Sequence, residues 1–387
     1  PCVYSNQSML VYPRLGYGKV IVSRVEDTYA HNARMINLQD EVIVIWQSSM
    51  VTRYEGNQLV NDITLERIDK ISGSRVYKRI MSDLWALEYY DGYLVTKAYN
   101  HCTDIKDGVI NIRFSAIIHD TVNGDYTASL YKTYNVATGE LSAIGMAKLC
   151  YNGNTVDWTL NNYLIMINTL YGSHYDETVK LSDSLDTCGI KEYDGVYYTI
   201  LTHRSYVEND ADAPFVVMCS SDLVTWYPIG TIGTGNGEIE LAIHNGKILW
   251  VAREVRTTDY GVCTIDTDHD DIADYTITPV VNSTQISTKA SKPAAFTYNN
   301  RLFAVYNINT NNTTNAGRTK IIVAELNSNN ELVTIDTVFD QDGFQYYDVG
   351  VFGSSILMCN TVRIRGEQFG WNPGPTGGLT LQSLQVE

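Results

Sequence analysis

Along much of the chain, apolar and polar residues alternate with a period of two, and the alternation is repeatedly interrupted by a short polar turn before a more continuous apolar run. Met35-Ile36-Asn37-Leu38 leads to Asp40-Glu41 and then to Val42-Ile43-Val44-Ile45-Trp46. The same arrangement recurs at Asp91-Gly92, Asn161-Asn162, Asp194-Gly195, Asn245-Gly246, Asn299-Asn300 and Gly353-Ser354, each followed by an apolar strand. It predicts seven β-hairpins, because Asn, Asp and Gly accept the positive φ that tight hairpin turns require. Most of these turns lie roughly 50 residues apart, the spacing of a propeller blade with a buried inner hairpin and two more polar outer strands. The intervals either side of Asn161-Asn162 are uneven, so that region holds two blades with a shifted boundary or one enlarged blade. The predicted fold is therefore all-β: a β-propeller of four-stranded antiparallel blades, seven in number, with six as the alternative.

Outer strands are legible as well, at Phe215-Val216-Val217-Met218-Cys219, at Ser220–Trp226 and at Thr319–Glu325. Residues 1–25 contain Met9-Leu10-Val11-Tyr12 and Lys19-Val20-Ile21-Val22, expected to lend an outer strand to the last blade and close the ring. The Gly- and Pro-rich stretch 366–378 reads as a loop, since strand-like Leu379-Thr380-Leu381 follows it. One propeller domain spanning 1–387 is expected.

Composition sharpens this in two ways. Tyr accounts for 28 residues against 8 Phe and 6 Trp, and Tyr with abundant β-branched residues suits a half-buried pleated surface. The net charge of −16 opposes a surface that grips nucleic-acid phosphate, and no apolar run approaches the ~18 residues of a membrane span. The seven cysteines are dispersed, without a Cys-x-x-Cys pair, and read as small core residues rather than metal ligands.

The most informative stretch runs from Gly235-Asn236-Gly237-Glu238 through Asn245-Gly246 to Trp250-Val251-Ala252-Arg253. An acid enters the hairpin and an Arg leaves it, which puts a carboxylate and a guanidinium at the same end. The stretch resembles the sialidase superfamily, in which an Asn-Glu pair opens an inner strand and an Arg ends the next. The resemblance continues in order along the chain. Arg318 sits where that family carries another substrate-carboxylate Arg, and Tyr346 in Tyr346-Tyr347-Asp348 matches the nucleophilic Tyr that a Glu such as Glu238 activates. Glu55, in Tyr54-Glu55-Gly56, corresponds to the acid/base carboxylate, usually Asp. At the first Arg of the family's carboxylate clamp the best match is His31, with Arg24 and Arg34 as sequence neighbours. The family's Asp-box turn survives as one degenerate copy, Ser220–Trp226, in which Asp222 is expected to bond loop amides and Trp226 to pack between strands.

This resemblance implies a glycoside hydrolase acting on a terminal acidic sugar, with Tyr346, Glu238 and Glu55 as catalytic residues and Arg253, Arg318, His31 and Arg34 binding substrate. The chemistry is coherent: a Tyr hydroxyl with an ordinary pKa of ~10 needs a nearby carboxylate to take its proton, and sialidases are the glycosidases that use a Tyr nucleophile. Planar Arg forks suit a carboxylate, sulfate or uronate. Two other readings fit the same fold: a non-catalytic polysaccharide- or receptor-binding propeller, such as a phage tail or cell-surface component, and a lyase in which His and Tyr abstract a proton beside a uronate. A glycan is the expected partner, and an extracellular or surface location the expected setting. Asp266, Asp268 and Asp270 have the spacing of a calcium loop, but Asp271 stands where its sharp turn wants Gly, so a solvated acidic turn is expected and calcium is the one cofactor left open. Ser/His/Asp relays, phosphate-binding Gly loops and His-Glu-x-x-His motifs find no support in the spacing.

Overall fold

A computed structural model of the chain describes residues 20–21, 29–49, 61–83, 87–172, 184–204, 214–234, 238–253, 257–288, 292–308, 320–340, 344–363, 377–384 and 386. These form an all-β propeller. Among the described residues there are five sheets, where seven blades were expected.

The largest sheet has eight strands in two antiparallel meanders. One runs Tyr29–Asn37, Glu41–Ser49, Asn61–Asp69, Arg75–Ser82; the other runs Phe344–Phe352, Ser355–Arg363, Gly377–Ser383 and then Val20–Ile21, which pairs with Thr380 and Leu381. A single parallel pairing, Tyr29 with Gly377, joins the two. The remaining sheets are built on the strands Tyr93–Lys106, Val196–Arg204 with its short partners Ser184–Thr187 and Lys191–Tyr193, Ile239–His244, and Ala294–Tyr298. Neighbouring inner strands pack on one another around the axis, with Tyr29–Asn37 touching both Phe344–Phe352 and Tyr93–Lys106.

Most predicted turns are present, and their backbones explain the residues found there. Asp91, Asp194, Asn245, Asn299 and Asn300 all have φ between 46° and 61°, where a short polar side chain is tolerated. The count of seven fails for two physical reasons. Asn161-Asn162 is not a turn but lies in the helix Leu160–Tyr171, whose Leu160, Tyr163, Leu164 and Ile167 recur at helical spacing and are all buried. Thr159 caps that helix, its hydroxyl accepting from the Asn162 amide at 3.1 Å. The hairpins at Asp40-Glu41 and Gly353-Ser354, each predicted to open its own blade, lie together in the one eight-stranded sheet.

The core lies between the sheets. On Val109–His119, Ile110, Ile112, Phe114, Ala116 and Ile118 pack toward the first meander, in a cluster with Ile43, Ile45, Ile63 and Leu65. The alternate residue Arg113, also fully buried, points the other way, its guanidinium packed against both the Trp158 and Trp226 rings at 4.7 and 4.5 Å. At Ser220–Trp226, Asp222 accepts from the amides of Val224 and Thr225 at 2.8 and 2.6 Å, and Trp226 is buried.

Candidate active site

Charged side chains from two different sheets and from the approach to a third meet in one buried cluster. Arg34, in the apolar strand Tyr29–Asn37, is 2% exposed and forms a buried ion pair with Glu240, which is 1% exposed on Ile239–His244. The second Glu240 oxygen accepts from the Gly189 amide at 3.0 Å. Lys292, two residues before Ala294–Tyr298 and 3% exposed, holds its Nζ 3.7 Å from Glu240 Oε1 and donates to the Asn32 side-chain oxygen. Asp348, on Phe344–Phe352, stands 3.9 Å from Arg34 and accepts from the Met35 amide at 2.6 Å. Arg34 Nε also donates to the His101 carbonyl at 3.3 Å. His101 Nε2 lies 3.0 Å from the Ile45 carbonyl, an acceptor only, so Nε2 carries the proton.

The electrostatics follow from this packing. Burial on its own would raise the Glu240 carboxyl, but Arg34, Lys292 and Lys191 together hold it below the usual carboxylate range. Burial, reinforced by Arg34, pulls the Lys292 amine down to about 8, against the opposing pull of Glu240, Glu238 and Asp348. Arg34 is pushed above its ordinary value: burial opposes this, and Glu240 and Asp348 outweigh it.

Glu238 and Arg253 meet as their spacing predicts, at 2.8 Å, with the Arg253 amide donating to the Glu238 carbonyl at 2.7 Å. Both side chains are part-exposed. Glu238 precedes Glu240 by two residues and Tyr346 precedes Asp348 by two, while His31 precedes Arg34 by three. At ~3.3 Å of rise per residue, Glu238 and Tyr346 lie about two residues toward the strand starts from Glu240 and Asp348, while the pairing of Tyr29–Asn37 shifts between His31 and Arg34. Only the backbone of His31 and Tyr346 is described, and the pairing of Phe344–Phe352 with its neighbour shifts between Phe344 and Tyr347. Glu55 and Arg318 lie outside the described residues. Asp266, Asp268 and Asp270 are exposed, Asp266 Oδ1 accepts from the Asp268 amide at 3.1 Å, and among the described residues no three acidic, His or Cys side chains gather as a metal site.

Glu240, Lys292 and Asp348 were not singled out from the sequence. Glu240 and Asp348 are charged residues inside largely apolar strands and Lys292 lies two residues before one, and that is the signal that marks them.

No family model and no curated protein matches the chain. Among solved structures, Trypanosoma rangeli sialidase in complex with the inhibitor DANA is similar over 94% of this chain and 56% of that one, at 10% identity and a TM-score of 0.58. The chain shares its propeller fold with that sialidase. The Trypanosoma rangeli sialidase in complex with sialic acid is similar over the same shares, with 10% identity and a TM-score of 0.56. Penicillium chrysogenum alpha-L-arabinanase complexed with arabinobiose covers 92% of this chain and 93% of its own, at 12% identity and a TM-score of 0.48. The chain spans about half the length of the sialidases it matches, 56% in the first comparison. Among its described residues, no helix is long and apolar enough to cross a membrane.

Proposed function

We propose that this propeller is a glycoside hydrolase acting on a terminal acidic sugar of a glycan, at the end of the axis where the inner strands begin. The observation that carries the reading is the buried array of Arg34, Glu240, Lys292 and Asp348, with the Glu238–Arg253 pair beginning two residues before Glu240. A propeller core gains nothing in stability from buried charge that apolar packing would not supply, so charges drawn from different sheets to one buried point suit recognition or catalysis.

In this reading the buried array is a rigid floor. Tyr346 is the nucleophile and Glu238 takes its proton; Arg253 is then shared between Glu238 and the substrate's acidic group. Glu55 protonates the leaving oxygen, and Arg318 and His31 complete the contacts to the sugar. An extracellular or surface setting, where such glycans are met, is part of the same proposal.

The test is reporter release from a panel of terminal acidic glycosides by the native protein, Tyr346→Phe and Glu238→Gln. Turnover falling by two or more orders of magnitude in both variants supports the reading. Absence of cleavage of every glycoside, with unchanged binding of the variants to immobilised glycans, overturns it in favour of a binding propeller. An unsaturated product absorbing in the near ultraviolet overturns it in favour of a lyase.

A further inference from the structure

Away from the axis, three side chains on the sheet built on Tyr93–Lys106 form a hydroxyl–imidazole–carboxylate relay that no sequence spacing indicated. His119 Nδ1 lies 2.7 Å from Asp125 Oδ2, and His119 Nε2 lies 2.7 Å from Thr96 Oγ1. An ionised carboxylate only accepts, so Nδ1 carries a proton, and in the imidazole form the Nε2 lone pair then faces the Thr96 hydroxyl. We propose that Thr96, His119 and Asp125 are a nucleophilic site that takes the acyl group of a small carboxylic ester.

The backbone explains why the three meet. Leu94 pairs with His119 and Thr96 with Ile117, so Thr96 and His119 are diagonal neighbours on one face of the sheet. Ile118 pairs with Tyr126, which brings Asp125 opposite His119. The pairing shifts just after Thr96, and there Lys97 adopts φ 54°, an uncommon conformation for a long side chain. The Asp83 carboxylate holds that bend by accepting from the Lys97 amide at 2.9 Å. A bulge held in this way re-aims the residue beside it, and such bends cluster at functional sites.

Access and chemistry agree with the geometry. The His119 and Asp125 side chains are each 36% exposed, and Thr96 is half-buried, so a small acyl group reaches the hydroxyl from solvent. On the same face, Thr127 is 3% exposed, and its hydroxyl has no hydrogen-bond partner among the described residues. In the reaction, the Thr96 proton passes to His119 Nε2 as Oγ1 bonds to the acyl carbon. The ester C–O bond then breaks, its electron pair leaves with the alkoxide, and the alkoxide takes the proton from Nε2. Water repeats the exchange, releasing the carboxylic acid and restoring Thr96, while Asp125 holds the imidazole in the required tautomer throughout.

The probe is p-nitrophenyl acetate, given to the full chain, with p-nitrophenol release followed against buffer. The native protein and Thr96→Ser are expected to hydrolyse it, and Thr96→Ala and His119→Ala to lose on the order of 100-fold or more of that rate. Peptide mass spectrometry of native protein quenched during turnover is expected to find one acetyl group on Thr96. That second measurement does not depend on any variant folding. Rates at the buffer level, equal rates in Thr96→Ala and native protein, or acetyl found only on lysines would each overturn the proposal. Because no glycoside is involved, none of these outcomes bears on the axial site.

Discussion

Glu240 shows how one residue ties the axial site to stability. Its carboxylate is almost wholly buried and is neutralised by Arg34, with Lys292 close by. Removing one partner of a buried pair leaves the other charge uncompensated, so Glu240→Gln is expected to cost about 3–5 kcal/mol, read from urea unfolding at neutral pH. The pH dependence has a definite sign. Because the folded carboxyl sits below its ordinary value, its contribution is complete above the unfolded pKa of ~4.3 and is lost as pH falls through the folded value. The native protein should therefore lose stability on that acid limb more steeply than Glu240→Gln, and parallel limbs would refute the coupling. At this scale the sequence was only partly legible. The Glu238–Arg253 pair followed from hairpin spacing alone, because both residues belong to one local element. Glu240 and Arg34 are brought together only by the ring, since they lie 206 residues apart.

Among the elements, hairpins were readable and the helix was not. Positive-φ turn residues act locally, so Asp194-Gly195 and Asn245-Gly246 announce their turns without help from the rest of the chain. Leu160–Tyr171 defeated that logic because Asn161-Asn162, followed by an apolar run, is also what a helix start looks like when its buried face carries Tyr163, Leu164, Met166 and Ile167. The Thr159 cap is the signal that distinguishes the two. Thr159→Ala removes the acceptor for the Asn162 amide and is expected to cost about 1 kcal/mol in thermal or urea unfolding. An unchanged midpoint would mean that packing, rather than the cap, sets where the helix begins.

Across the whole molecule, closure depends on the first and last inner strands approaching closely. Asn37 donates from Nδ2 to the Gly350 carbonyl at 3.3 Å and to the Ser355 carbonyl at 3.1 Å, crossing between Tyr29–Asn37 and the Phe344–Phe352 hairpin. A Cβ placed on Gly350 would come within 2.9 Å of the Asn37 Cβ and 3.2 Å of its amide nitrogen. Gly350→Ala must therefore push the two strands apart, and about 1–3 kcal/mol of destabilisation is expected in urea unfolding. The same closeness draws Asp348, two residues earlier, to Arg34 and the Met35 amide, so the variant is also expected to disturb the axial array. Stability equal to native would show that the ring closes with room to spare.

Period-two patterning and turn chemistry act within a few residues, and by themselves they determined the all-β class, the propeller spacing, most hairpin turns and the Glu238–Arg253 pair. The number of sheets, the helix in place of a hairpin, the buried meeting of Arg34, Glu240, Lys292 and Asp348, and the Thr96–His119–Asp125 relay were decided only by tertiary structure. Each of these depends on strand register or on contacts between sheets, and neither is encoded within a single hairpin.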